Sequence, residues 1–101
     1  MKEYNKLVRD RVIEIIESKG GSAKWHIATD KEYRQKATEK LQEELAEFLE
    51  TKDPEELADL LEIIYAVAES LGFGKEELET IRAKKATDRG EFSKRIILEK
   101  S

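Results

Sequence analysis

The sequence has no cysteine and a single histidine, His26. That removes a disulfide framework, a thiolate nucleophile, a cysteine-held iron–sulfur cluster and any Cys- or His-rich metal site. One proline and five glycines are far from a collagen-like or low-complexity composition. No run of about 18 apolar residues occurs, and the opening Met1-Lys2-Glu3-Tyr4-Asn5-Lys6 lacks the apolar stretch of a signal peptide. A cytoplasmic protein with no membrane partner is expected. An excess of positive charge is missing too: 19 Lys and Arg stand against 23 Asp and Glu, a formal charge of −4. That argues against a nucleic-acid polymer as partner, because such binding rests on neutralising phosphates.

What the 101 residues do hold is charge, 42% of the chain, in a length suited to a single domain over 1–101. Leu7, Val8, Val12, Ile15 and Ile16 recur at three- and four-residue steps and stop at Gly20-Gly21, which reads as a helix over about 10–19. Residues 22–28 alternate in character and are too short for a helix, so an extended segment is expected. Thr29-Asp30-Lys31-Glu32 has the form of a capping box and opens a long helix to about Thr51. Asp53 as N-cap, Pro54 at the first helical position and Glu56 at the third open another, running to Leu71 before Gly72. A last helix covers Lys75 to about Thr87, with only Leu78 and Ile81 as its apolar stripe. After Gly90, residues 92–98 read as a short strand pairing with 22–28 or as a docked tail. The fold class is all-α: an antiparallel helical bundle with a short accessory β segment.

The acid is unevenly placed. Ten acidic residues fall between Glu39 and Glu62, against Lys40 and Lys52. At about 100° per residue, Glu44 falls between Tyr33 and Ala37 on the apolar arc of the long helix and Glu47 on its edge, while Glu43 points away. On the next helix Glu56 lies within the apolar arc and Asp59 beside Ala66 and Ser70. Each helix thus contributes two acids three residues apart, and helices joined by a short connection pack antiparallel. Two carboxylates about 4 Å apart repel by about 4 kcal/mol at an effective dielectric near 20, so four need protons or a cation. All-oxygen ligation suits Mg²⁺ or Mn²⁺, and the lack of a Glu-x-x-His pair argues against a di-iron bundle. A plainer reading fits the same residues: Glu43, Glu44 and Glu47 on a solvated face, and Glu56 as the third member of a capping box.

Glu43-Glu44-x-x-Glu47 followed by Glu56-x-x-Asp59 resembles the E-E-x-x-E and E-x-x-D signature of the all-α nucleoside triphosphate pyrophosphohydrolases. That superfamily includes MazG, the dimeric dUTPases and phosphoribosyl-ATP pyrophosphohydrolase. The opening Tyr4-Asn5-Lys6-Leu7-Val8-Arg9-Asp10-Arg11 is similar to that of a small MazG-like subgroup of house-cleaning enzymes. Lys40-Leu41-x-Glu43-Glu44, Ala58-Asp59-Leu60-Leu61-Glu62 and Lys84-x5-Gly90-x-Phe92 also follow its pattern. Ile13 stands where the subgroup usually has proline, and Glu91 where it often has a second glycine.

The resemblance implies Mg²⁺-dependent cleavage of the α–β phosphate bond of a nucleotide, giving a monophosphate and pyrophosphate. It implies Glu44, Glu47, Glu56 and Asp59 as metal ligands, with Glu43 a neighbouring acid. Glu43 or Glu47 would take the proton of the attacking water. Lys6, Arg9, Arg11, Lys84, Arg89 and Arg95 are candidate phosphate ligands, of which the resemblance favours Lys6, Arg9 and Lys84. Trp25, the one tryptophan, either stacks on a base or packs in the core or an interface. The helix from Pro54 to Leu71 is apolar around most of its circumference, more than a lone chain of this size covers. A homodimer with a four-helix bundle, or a dimer of dimers, is therefore expected, with substrate sites between subunits. The alternatives are a phosphoribosyl-ATP pyrophosphohydrolase and a non-catalytic helical oligomerisation or regulatory module.

Overall fold

Side-chain caps and glycines divide the chain into four helices, seen in a computed structural model that describes residues 2–101. The short α1 (Val12–Ser18) begins two residues later than expected; its N-cap, Arg11, makes no side-chain cap and instead forks onto Glu14 at 3.1 and 3.2 Å. It closes where Gly20, at φ 84°, and Gly21 donate back to Glu17 and Ile16. In α2 (Asp30–Thr51) Thr29 Oγ1 accepts from the Glu32 amide at 3.2 Å. Only this half of the expected capping box forms, because the Glu32 carboxylate turns to His26 Nε2 at 2.8 Å. Lys52 ends the helix in the left-handed region at φ 56°.

The α3 helix (Pro54–Ser70) starts on Asp53, whose Oδ1 accepts from the Glu55 amide at 2.9 Å. Its end is a Schellman closure, with Gly72 at φ 92° and the Phe73 and Gly72 amides donating to Ala68 and Glu69. Gly74 then precedes α4 (Lys75–Arg89), two residues longer than expected, and Gly90 ends it at φ 84°. Residues 22–28 and 92–98 form no strand among the described residues, so the expected β pairing is not made within the chain. The tail carries only a turn from the Arg95 amide to the Phe92 carbonyl.

The two-residue connection folds α3 back on α2, and these two helices make the main packing contact, with α4 lying against α3. The buried apolar residues are Ala37, Ile63 and Ala68, and the buried charged residue is Glu44. Thus α2 and α3 meet along their acid-bearing sides. Leu45 and Leu49 on α2, and Leu57, Leu61 and Ile64 on α3, remain exposed. The exposed surface is 9173 Å², against about 5,900 Å² for a compact monomer of this mass. Likewise the radius of gyration is 17.4 Å, against about 13 Å. No helix is long and apolar enough to cross a membrane among the described residues.

Candidate metal centre

Spacing on α2 puts Glu43, Glu44 and Glu47 on one edge, and spacing on α3 brings Glu56 and Asp59 up to meet it. One carboxylate oxygen from each of Glu43, Glu44 and Glu47 lies within 4.8 Å of the other two, and the same holds for Glu44, Glu56 and Asp59. Glu44 is the shared corner. The four acids expected to converge from two helices all fall in these two triads. Glu43, expected to point away, belongs to the first triad as well. The contact face of α2 is rotated from its leucine arc toward Glu44, which turns the Glu43 edge inward.

Two observations separate this group from a solvated acidic face. Glu44 Oε2 and Glu56 Oε2 are both buried with no hydrogen-bond partner. A buried acceptor without a partner is costly, and here two occur in one cluster. Glu56 does not serve its helix cap either. The Asp53 amide donates to Thr51 Oγ1 at 3.2 Å, so the Glu56 side chain is released from the capping role and faces the other acids. Burial first, then the charge of Glu47, raises the Glu44 carboxyl above its ordinary pKa. The same two causes, in the same order, raise Glu56.

Cations occupy the rim. Lys6 Nζ donates to Glu43 Oε1 at 2.9 Å, and Arg9 Nη2 to Asp59 Oδ1 at 2.6 Å. Both come from the segment before α1, so two of the expected phosphate ligands stand at the acid group. Lys40, not among the expected phosphate ligands, joins them: its Nζ lies 3.4 Å from both Glu43 and Glu44. Its position three and four residues before them on one helix was the signal that would have found it. The hydrogen bond from Lys6, opposed by burial and reinforced by Lys40, holds Glu43 below the ordinary carboxylate range. Lys84 pairs with Asp88 on its own helix at 2.6 Å, and Arg11 with Glu14. Among the described residues no hydrogen bond or ion pair joins Lys84, Arg89 or Arg95 to the acids. Trp25 is exposed.

Five carboxylates therefore face three cations, a deficit of two positive charges. An all-oxygen donor set with that deficit and two buried, unpartnered oxygens is one that could hold a metal ion. Comparison with protein-family models, with curated protein sequences and with solved structures returned no match.

Proposed function

We propose that the chain is a Mg²⁺-dependent nucleoside triphosphate pyrophosphohydrolase that cleaves the α–β bond to give a monophosphate and pyrophosphate. The observation that carries this reading is the pair of buried, unpartnered oxygens on Glu44 and Glu56. A helical module with no ligand has no use for two such groups and loses stability through them. The resemblance of Glu43-Glu44-x-x-Glu47 and Glu56-x-x-Asp59 to the pyrophosphohydrolase signature supplies the reaction class. Mg²⁺, held by Glu44, Glu47, Glu56 and Asp59, would neutralise phosphate charge and acidify a water.

The chain's own groups divide the remaining work. Lys6 and Lys40 already hold Glu43 as an ionised carboxylate, so Glu43 serves as an anchor for the segment before α1. Glu47 has no lysine or arginine partner among the described residues, and the carboxylate oxygen it does not give to the ion takes the proton from the attacking water. The water oxygen bonds to the α-phosphorus, the bond to the bridging oxygen breaks, and pyrophosphate leaves with that oxygen. Lys6 and Arg9 neutralise the departing charge.

The assembly we propose is a homodimer, or a dimer of dimers, that covers the exposed apolar residues of α2 and α3. The test is incubation of the purified protein with a panel of nucleoside triphosphates and Mg²⁺, reading products by chromatography. Monophosphate with pyrophosphate is expected. Orthophosphate release would show that a different bond is cleaved, and no turnover of any nucleotide would favour the non-catalytic module.

A further inference from the structure

The segment before α1 reaches the acid group at two points: Lys6 is on Glu43 of the first triad, and Arg9 is on Asp59 of the second. Little else ties it down. Residues 2–11 contain no helix or strand; the Arg9 carbonyl accepts from the Val12 amide, and Tyr4 sits under the Lys2 and Lys6 ammonium groups at 5.2 and 5.7 Å. Asn5 takes a left-handed turn at φ 47° between Tyr4 and Lys6, a conformation that asparagine tolerates well. Leu7 is the one residue of this strap, among those described, that is even half-buried. The strap is therefore held mainly by two ion pairs to carboxylates.

We propose that the strap is a built-in counter-cation, with Arg9 occupying Asp59 until a divalent ion displaces it. This rests on the reading of the acid group as a cation site. The guanidinium already donates to Asp59 Oδ1, one of the carboxylate oxygens within reach of an ion in the second triad, so the two cations compete for the charge of that carboxylate. Displacement leaves Arg9 on a short tether beside the site, free to meet an incoming phosphate with its planar fork. Binding of the ion and readiness for an anionic substrate thereby become one event, because the cation given up by the acids is the one the substrate recruits. By linkage, removing the competitor tightens binding of the ion to the same degree that the ion loosens the strap.

The absence of cysteine makes the test direct. In the full chain, Val8→Cys carries a single nitroxide on an exposed strap position between Lys6 and Arg9, and its room-temperature spectrum is read with and without MgCl2 in the absence of nucleotide. In parallel, calorimetry measures the Mg²⁺ affinity of wild type, Arg9→Gln and Arg11→Gln. Arg11→Gln makes the same charge change two residues along, where the partner is Glu14. The expected results are a sharper, more mobile spectrum on Mg²⁺ addition, and an affinity raised at least about fivefold by Arg9→Gln and less than about twofold by Arg11→Gln. An unchanged spectrum, equal shifts in the two variants, or weaker binding by Arg9→Gln would overturn the strap while leaving the metal site standing. Failure of wild type and Arg9→Gln alike to bind Mg²⁺ would overturn both.

Discussion

Burying an oxygen of Glu44 without a partner destabilises the metal-free protein, and the sign of that effect is measurable. Glu44→Gln keeps the shape and removes the charge. It is expected to stabilise the metal-free chain by about 1 kcal/mol, a rise of roughly 4–8 °C in melting temperature for a domain of this size. The pH dependence follows from the same groups. The Glu44 and Glu56 carboxyls titrate above their ordinary value of 4.5 when folded. Between 4.5 and those raised values the native chain holds more protons than the unfolded one, so stability falls as pH rises through that window. Glu43 is lowered, and its contribution is lost only as pH falls below 4.5. Thermal melts should therefore show the metal-free protein more stable at about pH 5 than at about pH 7.5. Glu44→Gln should narrow that difference; a wild-type profile that rises with pH across this interval would contradict the assignment.

The helices were largely legible because their ends are written in local chemistry. Thr29, Asp53 and Pro54 mark starts, and Gly20, Gly72 and Gly90 mark stops, each through its own backbone or capping preference. Asp53→Ala removes the acceptor for the Glu55 amide. It is expected to cost about 1 kcal/mol, read as a lower denaturant midpoint. The face each helix buries was less legible. On α2 the helical wheel places Ala37 and Glu44 inside the buried arc, where they are found, together with Tyr33, Leu41, Leu45 and Phe48; Leu45, at the far edge of that arc, is exposed instead. Periodicity reports every apolar surface that will be covered without saying by what. Residues 92–98 show the same limit: Ile96, Ile97 and Leu98 have the composition of a strand, but among the described residues no strand pairs with them. Lys6 and Arg9 are legible through the resemblance, whereas the role of Lys40 shows only in its i,i+3 and i,i+4 spacing to Glu43 and Glu44.

At the scale of the molecule, the exposed area exceeds that of a compact monomer by about 3,300 Å², several times the roughly 800 Å² each partner contributes to a standard interface. The irregular tail accounts for part of this, with Phe92, Ile96, Ile97 and Leu98 all exposed. Leu57, Leu61 and Ile64 on α3 account for another part, continuing toward an apolar groove of about 320 Å³ lined by Val67, Leu71, Phe73, Leu78 and Ile81. Light scattering on the eluting protein is expected to give at least twice the 11.7 kDa chain mass. Leu61→Glu, which sets a charge among the exposed apolar residues of α3, is expected to give monomer. A wild-type chain that elutes as a well-folded monomer would contradict the dimer.

The carboxylates of α2 and α3 hold a divalent ion in this account, and a calorimetric titration of the intact metal-free protein with MgCl2 tests that most directly. Saturable binding is expected for wild type, with its loss in Glu44→Gln while circular dichroism shows the helices intact. Absence of binding by wild type, or equal binding by the variant, would contradict it.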